Sequence, residues 1–337
     1  MRYLVTGTAG FIGFHVARRL LRDGHTVVGL DGLTPYYDRG LKAARNERLE
    51  ALADGRFRLH RCLLEDLPAV EAAFRDAAPE RVIHLAAQAG VRYSLENPRA
   101  YVDSNIVGSF NLLEACHRHG PQHVLLASTS SVYGDSSEFP LVESARTDYP
   151  LTLYAASKKS MEAMAHGYAH LWGLPTTVFR LFTVYGPWGR PDMALFKFVD
   201  NIVAGVPIDV YNYGRMERDL TYVDDVVEAI VGLCDVPPSL AASGAGDAGA
   251  GTSGVAPYRI VNIGGRQPVG LLDLIDEIEK ALGRTAERNY MAMQPGDVPR
   301  TEASTELIET LIGFRPTTPM ADGVRAFVAW YREHYRL

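Results

Sequence analysis

Tyr154 and Lys158 stand four residues apart, so on a helix they share one face. A lysine ammonium beside a phenol favours the phenolate and draws the tyrosine pKa from about 10 toward neutrality, which makes a general base. The run Thr129-Ser130-Ser131 lies upstream in ASTSSVYG, at the end of an apolar segment. Its hydroxyls suit a substrate hydroxyl and the carbonyl that forms when that hydroxyl is oxidised. A partner for such an oxidation is signalled by Gly7-x-x-Gly10-x-x-Gly13. The first glycine permits a tight turn, the second lets backbone approach a pyrophosphate, and the third lets helix and strand pack closely. Phe11 and Ile12 open the helix that follows, whose unpaired N–H groups and positive dipole end face the phosphates. Asp31 closes the next strand, 18 residues after Gly13. A carboxylate there accepts hydrogen bonds from the adenosine ribose and repels a 2′-phosphate, which favours NAD over NADP. In His84–Gly90 the small residues, Ala86 and Ala87 beside Leu85, let a flat cofactor lie against the backbone.

The elements that must position these groups alternate. Strands are expected at 2–6, 26–30, 57–60, 81–84, 123–127 and 176–181, with helices at 11–22, 38–53, 67–77, 99–119, 154–172 and 194–204 between or after them. Apolar runs of strand length separated by helical patterns imply right-handed crossovers and a parallel sheet covered on both faces. The fold class is α/β: a Rossmann-type doubly wound parallel sheet with a smaller C-terminal α/β substrate lobe. Residues 1–185 are expected to form the dinucleotide-binding domain and to carry the catalytic residues. Residues 186–337, where Gly- and Pro-rich turns become frequent, are expected to form mainly the substrate lobe, with some chain returning to the sheet. In that half, short strands are expected at 208–211, 218–222 and 258–263, and helices at 223–234, 271–282, 304–312 and 320–335. Residues 239–254 are nearly all Ala, Gly, Ser, Asp and Thr and read as a flexible surface loop.

The bulk composition excludes several classes. At 337 residues, 47% hydrophobic and 22% charged, the chain can bury a large core. A net charge of −6 disfavours nucleic acid and anionic membranes as partners. No stretch approaches the roughly 20 apolar residues of a membrane span. The N-terminus leads directly into a strand with no export signal, so a cytoplasmic location is expected. Cys62, Cys116 and Cys234 are too few and too scattered for a disulfide framework or a zinc site, and read as reduced core residues.

With these residues together, the chain resembles the extended short-chain dehydrogenase/reductase family of sugar-nucleotide enzymes over essentially its whole length. The resemblance rests on TGTAGFIG, LTPYYDRGLK, HLAAQAGVRYSLENPRAYVDSN, STSSVYG, YAASKK, RLFTVYGPWGRPDMALFKF, RDLTYVDDV and QPGDVPRT. Within the family, GPWGRPDMA is similar to the 4-epimerases that act on a UDP-uronic acid. The resemblance implies bound NAD, a UDP-sugar substrate and a homodimer built from the helices near 99–119 and 154–172. It makes Tyr154 the base for the sugar C4 hydroxyl, and Lys158 its tuner and a ligand of the nicotinamide ribose. Thr129 falls at the catalytic Ser/Thr position, assisted by Ser130 and Ser131. Arg190 becomes a clamp for the uronate, since a guanidinium can grip a carboxylate with two hydrogen bonds. Arg218 is implied to meet the diphosphate, with Arg92, Asn105, Thr183, Gln294 and Asp297 completing the substrate set.

The implied activity is interconversion of UDP-glucuronate and UDP-galacturonate through a 4-keto sugar. Related decarboxylases carry glutamate where this chain has Ser131, and related dehydratases show an Asp-Glu pair that is absent. A UDP-glucose or UDP-N-acetylglucosamine 4-epimerase, a UDP-glucuronate decarboxylase and a catalytically silent NAD-sensing protein remain as alternatives. Gly32 and Leu63-Leu64 depart from the family pattern near the adenosine, where an asparagine and an acidic residue are usual. Gln294 stands where glucose-type epimerases often carry arginine.

Overall fold

Along the first strand, Tyr3 and Val5 pack into one apolar core and Leu4 into another. Alternation of this kind, with both faces apolar, is what a parallel sheet covered on both sides requires. The computed structural model describes residues 1–240 and 251–337. In chain order the main sheet takes β1 (Arg2–Thr6), β2 (Thr26–Leu30), β3 (Phe57–His60), β4 (Arg81–His84), β5 (His123–Thr129) and β6 (Thr176–Leu181). Between them run α1 (Phe11–Arg22), α2 (Arg39–Ala53), α3 (Leu67–Ala77), the short α4 (Tyr93–Glu96) and α5 (Pro98–Tyr101), then α6 (Gly108–His119) and α7 (Leu153–Trp172). All pairings in this sheet are parallel. The long helix expected over 99–119 is instead α5 and α6 joined by a π-helical stretch, Val102–Val107.

The second half of the chain supplies β7 (Thr183–Tyr185), α8 (Ala194–Ala204), β8 (Ile208–Val210), β9 (Glu217–Tyr222), α9 (Val223–Cys234) and β10 (Tyr258–Ile263). It ends with β11 (Pro268–Gly270), α10 (Leu271–Leu282), β12 (Arg288–Tyr290), α11 (Glu306–Ile312) and α12 (Met320–Tyr335). The seven-stranded sheet runs β10-β6-β5-β4-β1-β2-β3, so β10 returns from the second half to pair with β6 at one edge. Two smaller sheets, β11-β9-β7 and β12-β8, rise beside its carboxyl end. Strand order reverses between β1 and β4, and ligands of open α/β sheets bind outside the strand ends at such a switch point. Residues 241–250 of the expected loop 239–254 lie outside the described residues. At the far end of that stretch Thr252 bridges to Arg259, and Ser253 N–H donates to Tyr258 O over 2.9 Å.

Candidate active site

The glycine turn is built without slack. Gly7 has φ +78°, and a Cβ there would lie 2.8 Å from Ala86 N. At Gly10 a Cβ would stand 2.9 Å from Gly7 O, and at Gly13 it would overlap that same oxygen. No side chain caps α1, and its first turn carries no acid, so its N–H groups and dipole are left for an anion. Asp31 is buried, with Oδ2 accepting from Ala9 N–H (3.0 Å) and Oδ1 from Leu33 N–H (2.8 Å). Thr6 Oγ1 accepts from Leu85 N–H (3.1 Å) and Ala86 N–H (3.0 Å) and bonds His84 Nδ1 (2.8 Å), which fixes the small-residue segment beside the turn. These features fit a bound dinucleotide, with Gly7, Gly10, Phe11, Ile12, Gly13, Asp31, Leu85, Ala86 and Ala87 all lining one cleft of about 850 Å³.

The same cleft is lined by Thr129, Ser130, Ser131, Tyr154 and Lys158. Thr152 caps α7, its hydroxyl accepting from Ala155 N–H at 3.2 Å, and so sets the turn that presents Tyr154. Lys158 is buried and donates to Ala127 O (2.8 Å). Burial lowers its pKa to about 8, while Glu162, one turn further on, opposes the fall. Burial raises the Tyr154 phenol, and the groups that pull it back down are the Arg190 guanidinium and the Thr129 hydroxyl. One of the three ammonium N–H groups of Lys158 thus meets a strand carbonyl, and the Arg190 guanidinium, from the far segment 186–193, is a cation that acts on Tyr154.

Arg190 already holds a protein partner. Its Nε donates to Asp192 Oδ1 (3.0 Å) and its Nη2 to Asp192 Oδ2 (2.6 Å), so one edge of the fork is already filled. Tyr36 O–H donates to the same carboxylate (3.1 Å). Burial works against the Arg190 charge, and the Asp192 carboxylate more than offsets it, holding the guanidinium above its ordinary pKa. Only the Nη1–Nη2 edge is left to meet a ligand. Gly90, with φ +100°, is what lets Tyr36 come this close, because a Cβ there would collide with its hydroxyl.

Arg92, Thr183, Arg218 and Asp297 line the cleft as well. Arg92 donates to Asp297 (3.0 Å) and lies over the Tyr211 ring, 4.3 Å from its centroid. Arg218 Nη1 donates to Pro299 O (3.2 Å). Asn105 and Gln294 do not reach the cleft lining. Asn105 is buried, its amide accepting from Gln88 N–H (2.8 Å) and donating to Gln88 O (3.0 Å) and Ser157 Oγ (2.9 Å). Ser157 in turn donates to Tyr154 O (2.8 Å), so Asn105 braces the base from behind. Gln294 sits in the turn whose carbonyl accepts from Asp297 N–H (3.2 Å). Cys116 and Cys234 are buried, but Cys62 forms part of the cleft wall and is no core residue.

Sequence reasoning missed Tyr36, Asp192, Thr6, His84 and Arg45. Tyr36 and Asp192 fall inside quoted motifs, LTPYYDRGLK and GPWGRPDMA, yet nothing in their spacing announces a shared carboxylate. Arg45 is fully buried, donating to Ala9 O (2.7 Å), Tyr37 Oη (2.7 Å), Trp188 O (2.5 Å) and Gly189 O (3.2 Å). It ties the glycine turn directly to the segment that carries Arg190.

Residues 3–244 match the NAD dependent epimerase/dehydratase family. The chain belongs to that family. It is similar to a probable UDP-glucuronate 4-epimerase of Rhizobium meliloti (strain 1021), 58% identical over all of this chain and 98% of the relative. It is 46% identical to UDP-glucuronate 4-epimerase 1 of Arabidopsis thaliana over 98% of this chain and 77% of that protein. Among solved structures it resembles UDP-glucuronic acid 4-epimerase from Bacillus cereus in complex with UDP-glucuronic acid and NAD. That likeness has a TM-score of 0.87 and 32% identity, and covers 99% of this chain and 100% of the other. Among the described residues, no helix is long and apolar enough to cross a membrane.

Proposed function

We propose that this member of the family is a UDP-glucuronate 4-epimerase, interconverting UDP-glucuronate and UDP-galacturonate. The observation that carries the reading is the convergence, in one cleft with the glycine turn, of the Tyr154 phenol and a guanidinium from segment 186–193. The relatives at 58% and 46% identity, and the Bacillus cereus complex with UDP-glucuronic acid and NAD, support the choice of substrate and cofactor.

When bound, NAD supplies the means of taking a hydride from the sugar C4 and returning it. Tyr154 accepts the C4 hydroxyl proton as the 4-keto sugar forms and gives a proton back as it is reduced. Thr129 hydrogen-bonds the reacting oxygen, and Ser130 and Ser131 hold the sugar beside it. Lys158 holds the nicotinamide ribose. Arg92, with its partner Asp297, and Arg218 meet the UDP moiety, so the sugar can turn about its pyrophosphate and present its opposite face. The 4-keto uronate is a β-keto acid and loses CO2 if its carboxylate aligns with the carbonyl π system. The free edge of Arg190 and the Thr129–Ser131 hydroxyls restrain that carboxylate. Exposed apolar side chains on the proposed dimer helices, Phe110 on α6 and Leu171 and Trp172 on α7, suit pairing of two copies.

The test is NMR of UDP-glucuronate incubated with the purified protein. UDP-galacturonate without pentose is expected. UDP-pentose with released CO2 makes the enzyme a decarboxylase, and turnover of UDP-glucose alone makes it a glucose-type epimerase.

A further inference from the structure

Arg45 lies on α2 and is fully buried. Among the described residues, its hydrogen bonds go to three carbonyl oxygens and the Tyr37 hydroxyl, and its Nε is buried without a partner. A buried cation held by neutral groups alone is costly, so packing does not account for it. What the guanidinium does is span two segments from opposite halves of the chain. Its Nη1 donates to Ala9 O (2.7 Å), and the N–H of the same Ala9–Gly10 peptide donates to Gly7 O (2.9 Å). That peptide leads directly into α1, so its tilt aims the N–H groups left for an anion. Nη2 donates to Trp188 O (2.5 Å) and Gly189 O (3.2 Å), and the second carbonyl belongs to the peptide whose N–H is that of Arg190. Trp188 is held at φ +61°, a conformation that a bulky residue keeps only when its surroundings impose it. A guanidinium is a rigid plane, so a displacement of one carbonyl is passed to the others.

We infer that Arg45 is a positioning residue that couples the two sides of the cleft, setting Arg190 for the UDP-sugar when a dinucleotide occupies the glycine turn. The inference rests on the proposed function and goes beyond it, because it makes retention of NAD and grip on the uronate depend on each other. With the Ala9–Gly10 peptide fixed by an occupied turn, Arg45 fixes the Gly189–Arg190 peptide as well. Coupling between binding sites is reciprocal, so UDP-glucuronate tightens NAD by the factor by which NAD tightens UDP-glucuronate. A merely structural Arg45 would weaken both ligands and leave that factor unchanged.

The experiment uses the full chain carrying Tyr154→Phe, so that the sugar binds without turning over. Equilibrium dialysis measures the Kd of NAD with and without saturating UDP-glucuronate, and the ratio is the coupling factor. A factor of about tenfold is expected. Arg45→Lys replaces the fork by a point donor on a flexible stem, and should bring the factor below about threefold. Arg45→Gln, able to donate to one carbonyl at a time, should do the same. The fold should survive, because His15 Nε2 still meets Pro187 O (2.9 Å) and Trp188 still packs on Phe14 and Trp330. Arg190→Met should lower the factor to the same level, and adding Arg45→Lys should lower it no further, since both cut one path. A factor within about twofold of the starting value in Arg45→Lys and Arg45→Gln overturns the inference, as do losses that add in the double variant. A starting factor near one, with both ligands bound, also overturns it and leaves the proposed function standing. UDP-glucuronate that does not bind removes the proposed function, and this inference with it.

Discussion

The glycine-turn side of the cleft and the Arg190 side achieve recognition by opposite means. Around Gly7, Gly10 and Gly13 the recognising surface is backbone, and the tolerance is less than one carbon atom. Around Arg190 it is side chains that already hold one another: Asp192 takes one edge of the guanidinium, and Tyr36 bonds the same carboxylate. A surface made of backbone has one shape and suits a resident group that is the same in every turnover. A surface made of paired charges can exchange partners, and it suits a sugar that must enter, turn over and leave.

Four substitutions or conditions break or sharpen that contrast, in falling order of effect. Tyr154→Phe removes the proton acceptor, and kcat should fall by about 10²–10⁴-fold, measured by NMR product formation. Retention of NAD should stay normal, and unchanged turnover would sink the assignment of the base. Gly13→Ala drives a methyl into Gly7 O, a clash with backbone that no side chain can relieve. It should cost about 3 kcal/mol or more, seen as a lower melting temperature together with loss of retained NAD. A variant that keeps its NAD would refute the rigid-turn account.

On the opposite side, Asp192→Asn should leave the fold within about 1 kcal/mol of the wild type, since the pair is partly exposed. It should lower kcat/KM by about 10- to 100-fold through loss of Arg190 orientation. Asp192 is one of the groups that raise the Tyr154 phenol, so its removal should also move the acid limb of kcat to lower pH. An unshifted limb with normal kcat/KM would show that Asp192 is a bystander. The smallest effect concerns pH. Burial holds His84, behind the cofactor turn, and His123, at the base of the sheet, down at about 3. Unfolded histidines protonate near 6.5, so between these values the unfolded chain binds protons that the folded chain refuses. Stability should be full above about pH 6.5 and decline as pH falls below it. Melting temperature against pH checks this, and His123→Gln should flatten the slope.

Much of the main sheet was legible because its central strands are buried on both faces and its helices on one. Those patterns placed β1, β4 and α3 to the residue. The interruption of the 99–119 helix was not legible, because a π-helical stretch changes the hydrogen-bond partner without changing the polarity pattern. Strands β7, β11 and β12 were missed: each has three residues, and β8, equally short, was read only as part of the apolar run 208–211. At the site, Tyr154, Lys158, Thr129 and the glycines carry short-range signatures and were named in advance. Asn105 was misplaced because an amide has the same letter whether it faces a ligand or braces a loop.

The sequence by itself determined the features whose physics is local. These are the glycine spacing of a turn that backbone sterics enforce, the i and i+4 placement of Tyr154 and Lys158, and the alternation that makes a covered parallel sheet. Only the tertiary structure decided which charges meet. It put Lys158 on a strand carbonyl, brought Arg190 to act on Tyr154, filled the fork of Arg190 with Asp192, and joined Arg92 to Asp297 across 205 residues of chain. Electrostatic interactions depend on distance in space and on burial, and neither quantity is written in the order of the letters.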